Sequence, residues 1–280
     1  MGRLTTRRPV VRIGADGGRT QGPETLDVEE PLEISVAGVS SVVTLRTPGH
    51  DVELAHGFLL TQGVIGGAGD VRVARYCNSL DAEGRNTYNV LDVDLAPGVP
   101  APAAGLTSSF RTTSFSGVCG SASLEAVRLR TRHSPADDDV RVDPRLYAEL
   151  PGRLRGVVDG TGELHAAGLF TADGEPITVR EDVDGRNAVD KVLGRAVLDD
   201  RVPARGAVLV VSGRVSFELA QKAVMAGVPI LTAASAPSSL AVELAADAGL
   251  TVAGCVREGL TVYTGLHRVA GPDVQADGAA

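Results

Sequence analysis

The sequence predicts an α/β protein in two parts, a small N-terminal α+β domain over residues 20–105 and a larger α/β domain over residues 106–270. Three observations carry this reading. The 280 residues are 43% hydrophobic, enough to fill a core. In the second half, β-branched runs alternate with amphipathic segments of helical period, the rhythm of βαβ units. Between the halves, "APGVPAPAAG" (96–105) is rich in Pro, Ala and Gly without any period, the composition of an exposed connector.

The elements follow in order. "LEISV" and "SVVTLRT" are β-branched runs separated by "AGVS", a hairpin, and "DVELAHGFLLTQG" then places apolar residues at helical spacing before Gly63. "DVRVARYCNSL" and "TYNVLDVDL" alternate like an antiparallel pair joined through "DAEGRN". In the second half, "LHAAGLF" and "PITVRED" read as a strand pair and "NAVDKVLGRAVL" as an amphipathic helix. "GAVLVVSG", "VPILTAAS" and "LTVAGCVR" read as buried strands, with the helices "SFELAQKAVMAG" and "SSLAVELAADAG" between them. Such units predict a mostly parallel sheet covered on both faces, with ligands bound at the carboxyl ends of the strands.

Charge and cysteine content narrow the function. The net charge of −8 and a pI near 5.2, with basic residues scattered along the chain, argue against a nucleic-acid partner. The N-terminus is basic but no apolar segment follows it, and no later run approaches a membrane span, so a cytoplasmic protein is expected. Three cysteines, Cys77, Cys119 and Cys255, are too few for a disulfide framework, and no paired spacing offers a metal a preformed site. Any role for a cysteine is therefore solitary and belongs to a reducing compartment.

The predicted strand ends read "SGRVS" (212–216), "SAPSS" (235–239) and "CVREGL" (255–260). Each is small and polar and precedes a helix or turn, so backbone N–H groups and hydroxyls can face an anion, with Arg214 and Arg257 as forks for phosphate. Each loop also reads as an ordinary turn with a serine cap and a solvent-facing arginine. No Walker loop or GxGxxG fingerprint is present. "EDVDGRNAVDK" (181–191) is dense in charge ahead of a helix, either a solvated capping turn or the polar wall of a site. In "SFSGVCGSASLEAV" (114–127), Cys119 lies between Gly117 and Gly120, just before a predicted helix, with Ser121 and Ser123 as candidate caps. That position favours the thiolate and leaves room for a large partner; a buried, inert cysteine is the competing reading.

Several of these stretches together, "EEPLEISV", "RTPGHDVELAHGFLLTQGVI", "SGVCGSASLEAV", "VREDVDGRNAVDKVLG", the long run from "SGRVSFELAQ" to "AGCVREG", and "VYTG", resemble in order the blocks of the formate dehydrogenase accessory sulfurtransferase family, FdhD, over about residues 29–268. The resemblance implies a cytidine-deaminase-like α/β domain after the small domain. It implies a persulfide accepted from a cysteine desulfurase and delivered to the molybdenum of a bis(molybdopterin guanine dinucleotide) cofactor, for formate dehydrogenase, and a homodimer. It implies Cys119 as the sulfur carrier and the segment Cys255, Val256, Arg257, Glu258, Gly259 and Leu260, with Arg214, as cofactor-binding. No deaminase chemistry follows: Ala167 stands where the HxE glutamate after His165 would be, and no P-C-x-x-C is present.

Three departures from the family pattern stand out. Ser116 replaces the first cysteine of C-G-x-C-G, Asp184, Gly185 and Arg186 replace the G-R-H ahead of N-A, and Gln62 replaces a glutamate. Two readings therefore follow, a sulfur carrier working through Cys119 alone, and a cofactor-binding chaperone that has lost sulfur transfer.

Overall fold

The computed structural model describes residues 4–77, 84, 86–102, 131–158, 164–256 and 259–271. It opens on an antiparallel ribbon of strands β1 (Thr5–Ile13) and β2 (Arg19–Asp27), paired without a break from Thr5↔Asp27 to Ile13↔Arg19. This ribbon was not expected from the sequence. Pro9, Pro23 and Gly22 interrupt the alternation that marks a strand, but in a two-stranded ribbon each strand has one edge free to carry a proline.

Strands β3 (Glu30–Val36), β4 (Ser40–Arg46), β5 (Val71–Tyr76) and β6 (Val90–Leu95) form a four-stranded sheet in the order β4-β3-β6-β5. The predicted hairpin and antiparallel pair are both present, and β3 and β6 join them in parallel. Alternation sets the faces: Leu32, Ile34 and Val36 are buried while Glu33 and Ser35 are not. Helix α1 (Asp51–Thr61) covers the buried face and is itself buried almost all round, Asp51, Glu53, His56 and Thr61 included.

The second sheet has six strands in the order β12-β11-β10-β9-β7-β8: β7 (His165–Thr171), β8 (Pro176–Asp182), β9 (Ala207–Val211), β10 (Ile230–Ala233), β11 (Thr251–Val256) and β12 (Gly259–Thr264). It is mixed rather than mostly parallel. Only β9, β10 and β11 pair in parallel, with β7 and β12 antiparallel on either side. The segment "CVREGL" is correspondingly the meeting of β11 and β12, because the β-branched "GLTVYT" pairs back with Val256↔Gly259 at its start.

Helices α3 (Gly185–Leu198), α4 (Phe217–Met225) and α5 (Ser239–Ala248) pack on one face of this sheet. The other face is covered by α2 (Pro144–Val157), through Tyr147, Leu150 and Leu154 against Phe170, Val208, Val210 and Ile230. Helix α2 also escaped the sequence reading, since Pro151 and three arginines obscure its apolar stripe. Asp143 caps it, accepting from the Arg145 N–H at 2.8 Å.

One apolar core runs from the first sheet through α1 and α3 into the second, joining Leu32 and Phe58 to Val189, Leu209 and Leu231. The join is a backbone-to-backbone crossing. A Cβ placed on Gly57 would lie 1.8 Å from the Asp190 carbonyl oxygen, and one on Gly194 would lie 1.7 Å from that of Glu53. No larger residue fits either position without forcing the helices apart. Gly57→Ala and Gly194→Ala are each expected to cost about 3 kcal/mol or more, the upper range of overpacking, because the obstacle is backbone. Urea unfolding measures it; a loss below about 1 kcal/mol would mean that the crossing yields.

Candidate functional site

Antiparallel pairing brings unlike ends to one edge of the second sheet. The carboxyl ends of β8, β9, β10 and β11 meet there with the amino ends of β7 and β12. A cavity of about 150 Å³ opens at this edge, lined by His165, Asp184, Arg186, Ser212, Arg214 and Glu218 among others.

Each wall has a local cause. Ser212 continues β9 and is locked to β7 twice, its N–H donating to the Ala166 carbonyl at 2.9 Å and its Oγ accepting from the Ala166 N–H at 2.9 Å. Ser216 caps α4, its Oγ accepting from the Leu219 N–H, and Ser238 caps α5, accepting from Ala241. The Ser238 N–H donates to the Val215 carbonyl at 3.0 Å, so the loops after β9 and β10 are fastened together. The Ser235 carbonyl lies 3.0 Å from where a Gly254 Cβ would stand, which brings the loop after β10 against β11.

The far wall is the amino end of α3. Asp184 caps it, accepting from the Arg186 N–H at 2.8 Å, and its carboxylate also takes the Arg186 guanidinium. Arg186 reaches Glu218 of α4 at 3.5 Å. Burial opposes ionisation of Asp184, but the Arg186 hydrogen bonds outweigh it and hold its pKa down; the bond to Asp184 in turn pushes Arg186 up. Arg186 is thus neutralised by two carboxylates. Arg214, exposed on the loop after β9, makes no ion pair or hydrogen bond among the described residues. Among the described residues, the cavity therefore presents Arg214 as a free cation beside two helix amino ends, an arrangement suited to an anion.

The charged run 181–191 has a role that neither reading of its sequence anticipated. Asp182 and Lys191 are fully buried and paired at 2.7 Å, and both grip Thr47 of the first half. The Thr47 N–H donates to Asp182 Oδ2 at 3.2 Å, and Lys191 Nζ donates to the Thr47 carbonyl at 2.9 Å. The Thr47 hydroxyl accepts from the Val183 N–H at 3.1 Å. Asn187 Nδ2 donates to the Leu45 carbonyl at 2.7 Å. Deeper in, Lys222 of α4 bonds both oxygens of Asp190 at 2.7 Å, with the Thr61 hydroxyl donating to Asp190 at 3.0 Å. Asp184, Gly185 and Arg186 of the run line the cavity, while Asp182, Asn187, Asp190 and Lys191 form a latch.

The predicted site residues divide accordingly. Arg214 lines the cavity. The Cys255 thiol does not; it donates to the Tyr147 carbonyl at 3.2 Å on the α2 side, and burial pushes its pKa up. Leu260 packs into the core under α2, and Gly259 opens β12 at the same sheet edge as the cavity. Val256 closes β11 as a backbone partner of Gly259. Cys119, Ser116, Arg257 and Glu258 lie outside the described residues. The sequence reading offered the run 181–191 as a capping turn or as the polar wall of a site, and Asp184 and Arg186 are both; it missed Glu218 as their partner in that wall, and His165 as a lining residue. The one available signal for His165 was its place at the start of a strand that runs against β9.

The FdhD/NarQ family profile matches residues 27–270. The chain belongs to the FdhD/NarQ family. A sulfur carrier protein FdhD from Nocardia farcinica is 54% identical over 272 residues, covering 96% of each chain. Another sulfur carrier protein FdhD, from Mycobacterium tuberculosis, is 50% identical over 276 residues, covering 96% of this chain and all of that one. A crystal structure of a chain from Desulfotalea psychrophila, described as a formate dehydrogenase accessory protein, superimposes with a TM-score of 0.69 over 96% of this chain at 22% identity, and so shares the fold. No helix among the described residues is long and apolar enough to cross a membrane.

Two outcomes test the electrostatic framework. Breaking the inner pair by Lys222→Met leaves Asp190 buried and unpaired and is expected to cost about 3–5 kcal/mol in urea unfolding; a loss near zero would mean that the pair is dispensable. Glu53 of α1 is desolvated, yet hydrogen bonds from His50 and Arg180 hold its pKa down at about 2, against 4.5 when free. Its contribution to stability is present above pH 4.5 and is lost as the pH falls towards 2. Glu53→Gln should therefore flatten the acid limb of the stability profile; an unchanged limb would contradict the assignment.

Proposed function

We propose that this chain is a sulfur carrier that sulfurates the bis(molybdopterin guanine dinucleotide) cofactor destined for formate dehydrogenase. It works in the cytoplasm as a homodimer, with Cys119 as the sulfur-carrying residue. The cofactor is substrate here rather than a resident group. Family membership supports the sulfur-transfer half of this reading, since the curated relatives are named sulfur carrier proteins. The observation that carries the ligand half is the cavity at the sheet edge, with Arg214 as a free cation among the described residues. Bordered by the amino ends of α3 and α4, it suits the phosphate of a guanylate group. The segment Cys255–Leu260, with Arg257, would border the same ligand from the β11–β12 side, Cys255 contributing through its backbone because its thiol is engaged elsewhere.

Loading is redox-neutral. The Cys119 thiolate attacks the terminal sulfur of a cysteine desulfurase persulfide, the donor's S–S bond breaks, and the donor leaves as thiolate while Cys119 holds the persulfide. A second cysteine at position 116 would relay or compete for that sulfur, but Ser116 does neither, so discharge runs directly to the cofactor or to an external thiol.

Isothermal calorimetry with GDP, a mimic of the guanylate end, tests the ligand half. Arg214→Ala should weaken binding on the order of ten- to 150-fold, the worth of a desolvated charge-assisted contact. Arg186→Ala should weaken it less, because that charge is already spent on Asp184 and Glu218. Absence of GDP binding, or indifference to Arg214, would overturn the site. Intact mass after incubation with a desulfurase and cysteine tests the sulfur half. Wild type should load slowly, Cys119→Ala not at all, and Ser116→Cys faster than wild type. Loading of Cys119→Ala at the wild-type rate would exclude the carrier, and GDP binding without any loading would favour the chaperone.

A further inference from the structure

The cavity suited to an anion also contains a carboxylate. Arg214 offers its charge there, and the N–H groups of Gly213 and Arg214 beside it have no acceptor among the described residues. Yet Glu218 lines the same cavity. A phosphate oxygen set against that carboxylate would be repelled, so the part of the ligand that faces Glu218 has to be a donor.

Of the two carboxylates in the lining, Glu218 is the less engaged. Asp184 caps α3 and takes Arg186 Nε on both oxygens, at 3.0 and 3.1 Å. Among the described residues, Glu218 receives only Arg186 Nη1, at 3.5 Å, well beyond the usual length of a charge-assisted contact. An ionised carboxylate accepts at about four lone-pair positions, so most of this capacity is unspent. The side chain is 27% exposed, which withdraws much of it from water. A divalent cation is a poor answer to that demand. It takes about six oxygen ligands, and Asp184 is already committed to Arg186.

Proximity narrows the donor further. Arg214 and Glu218 stand four residues apart and share one cavity of about 150 Å³, so the groups that they hold are close neighbours in the ligand. In a guanylate the neighbour of the phosphate is the ribose, whose hydroxyls are donors. An acidic side chain that accepts from a ribose hydroxyl also serves dinucleotide sites, for the same reason of geometry.

We propose that Glu218 is the ribose-reading residue of this site, accepting from the sugar hydroxyls of the guanylate group while Arg214 holds its phosphate. This assignment rests on the guanylate reading given above and adds to it the part of the nucleotide that the cavity recognises besides charge.

Calorimetry in EDTA with GDP and 2′,3′-dideoxy-GDP tests it. Wild type should bind GDP on the order of ten- to 150-fold more tightly than the dideoxy analogue, the worth of a charge-assisted hydrogen bond. Glu218→Ala should bind the two alike, and should hold the analogue at least as tightly as wild type does, since a negative charge beside the phosphate is gone. A carboxylate that only restrained Arg186 would instead weaken both nucleotides by the same factor when removed. Glu218→Gln, which keeps the shape and one acceptor, should keep part of the preference.

Equal affinity of wild type for the two nucleotides, with Arg214→Ala still weakening both, would overturn the ribose contact and leave the phosphate site standing. A preference that survives Glu218→Ala would overturn it too, moving the contact to another lining residue. GDP binding that appears only when magnesium replaces EDTA would give Glu218 to a metal. No GDP binding under either condition would remove the guanylate site and the ribose contact together.

Discussion

The crossing of α1 and α3 is the constraint on which the rest of the structure depends. Two glycines facing each other's backbone, Gly57 and Gly194, let the helices approach until carbonyl oxygens occupy the space of a side chain. Around that contact, polar groups of α3 and of the end of β8 find their partners in the first half of the chain: Asp182 and Lys191 at Thr47, Asn187 at Leu45, Asp190 at Thr61. Buried charges of this kind are a poor source of net stability, but a wrong register would strand each of them unpaired. They therefore fix the angle and register of α3.

The amino end of α3 is a wall of the cavity, so register passes directly into function. The Asp182 carboxylate that receives the Thr47 N–H also receives the Asp184 N–H at 3.0 Å, and Asp184 then caps α3 and holds Arg186. With Arg186 restrained between Asp184 and Glu218, the proposed anion contact falls to Arg214 on the loop after β9. The two arginines that line the cavity thus separate into one structural arginine and one available arginine.

Much of this was legible in the sequence, and the failures have physical reasons. Elements with clean periodicity were placed correctly: "LEISV", "GAVLVVSG" and the helix over "SFELAQKAVM" all formed as read. The ribbon and α2 were lost because prolines interrupt both, in positions where the fold tolerates them. The edge where the serine loops gather was also legible, since strand ends of βαβ units converge by topology. The wall was not. Whether Asp182, Asp190 and Lys191 meet solvent or each other depends on residues more than a hundred positions away, and charge density alone cannot distinguish a solvated turn from an internal latch.

If the crossing makes one unit of the two halves, and the cavity belongs to that unit, heat should unfold the described structure in one step and a cavity ligand should stabilise all of it. Differential scanning calorimetry with and without GDP measures this most directly. The account predicts a single transition that moves upward as a whole with rising GDP, as linkage requires for a ligand of the native state. Two transitions, with GDP raising only the one that belongs to the second sheet, would show that the halves unfold independently and contradict it.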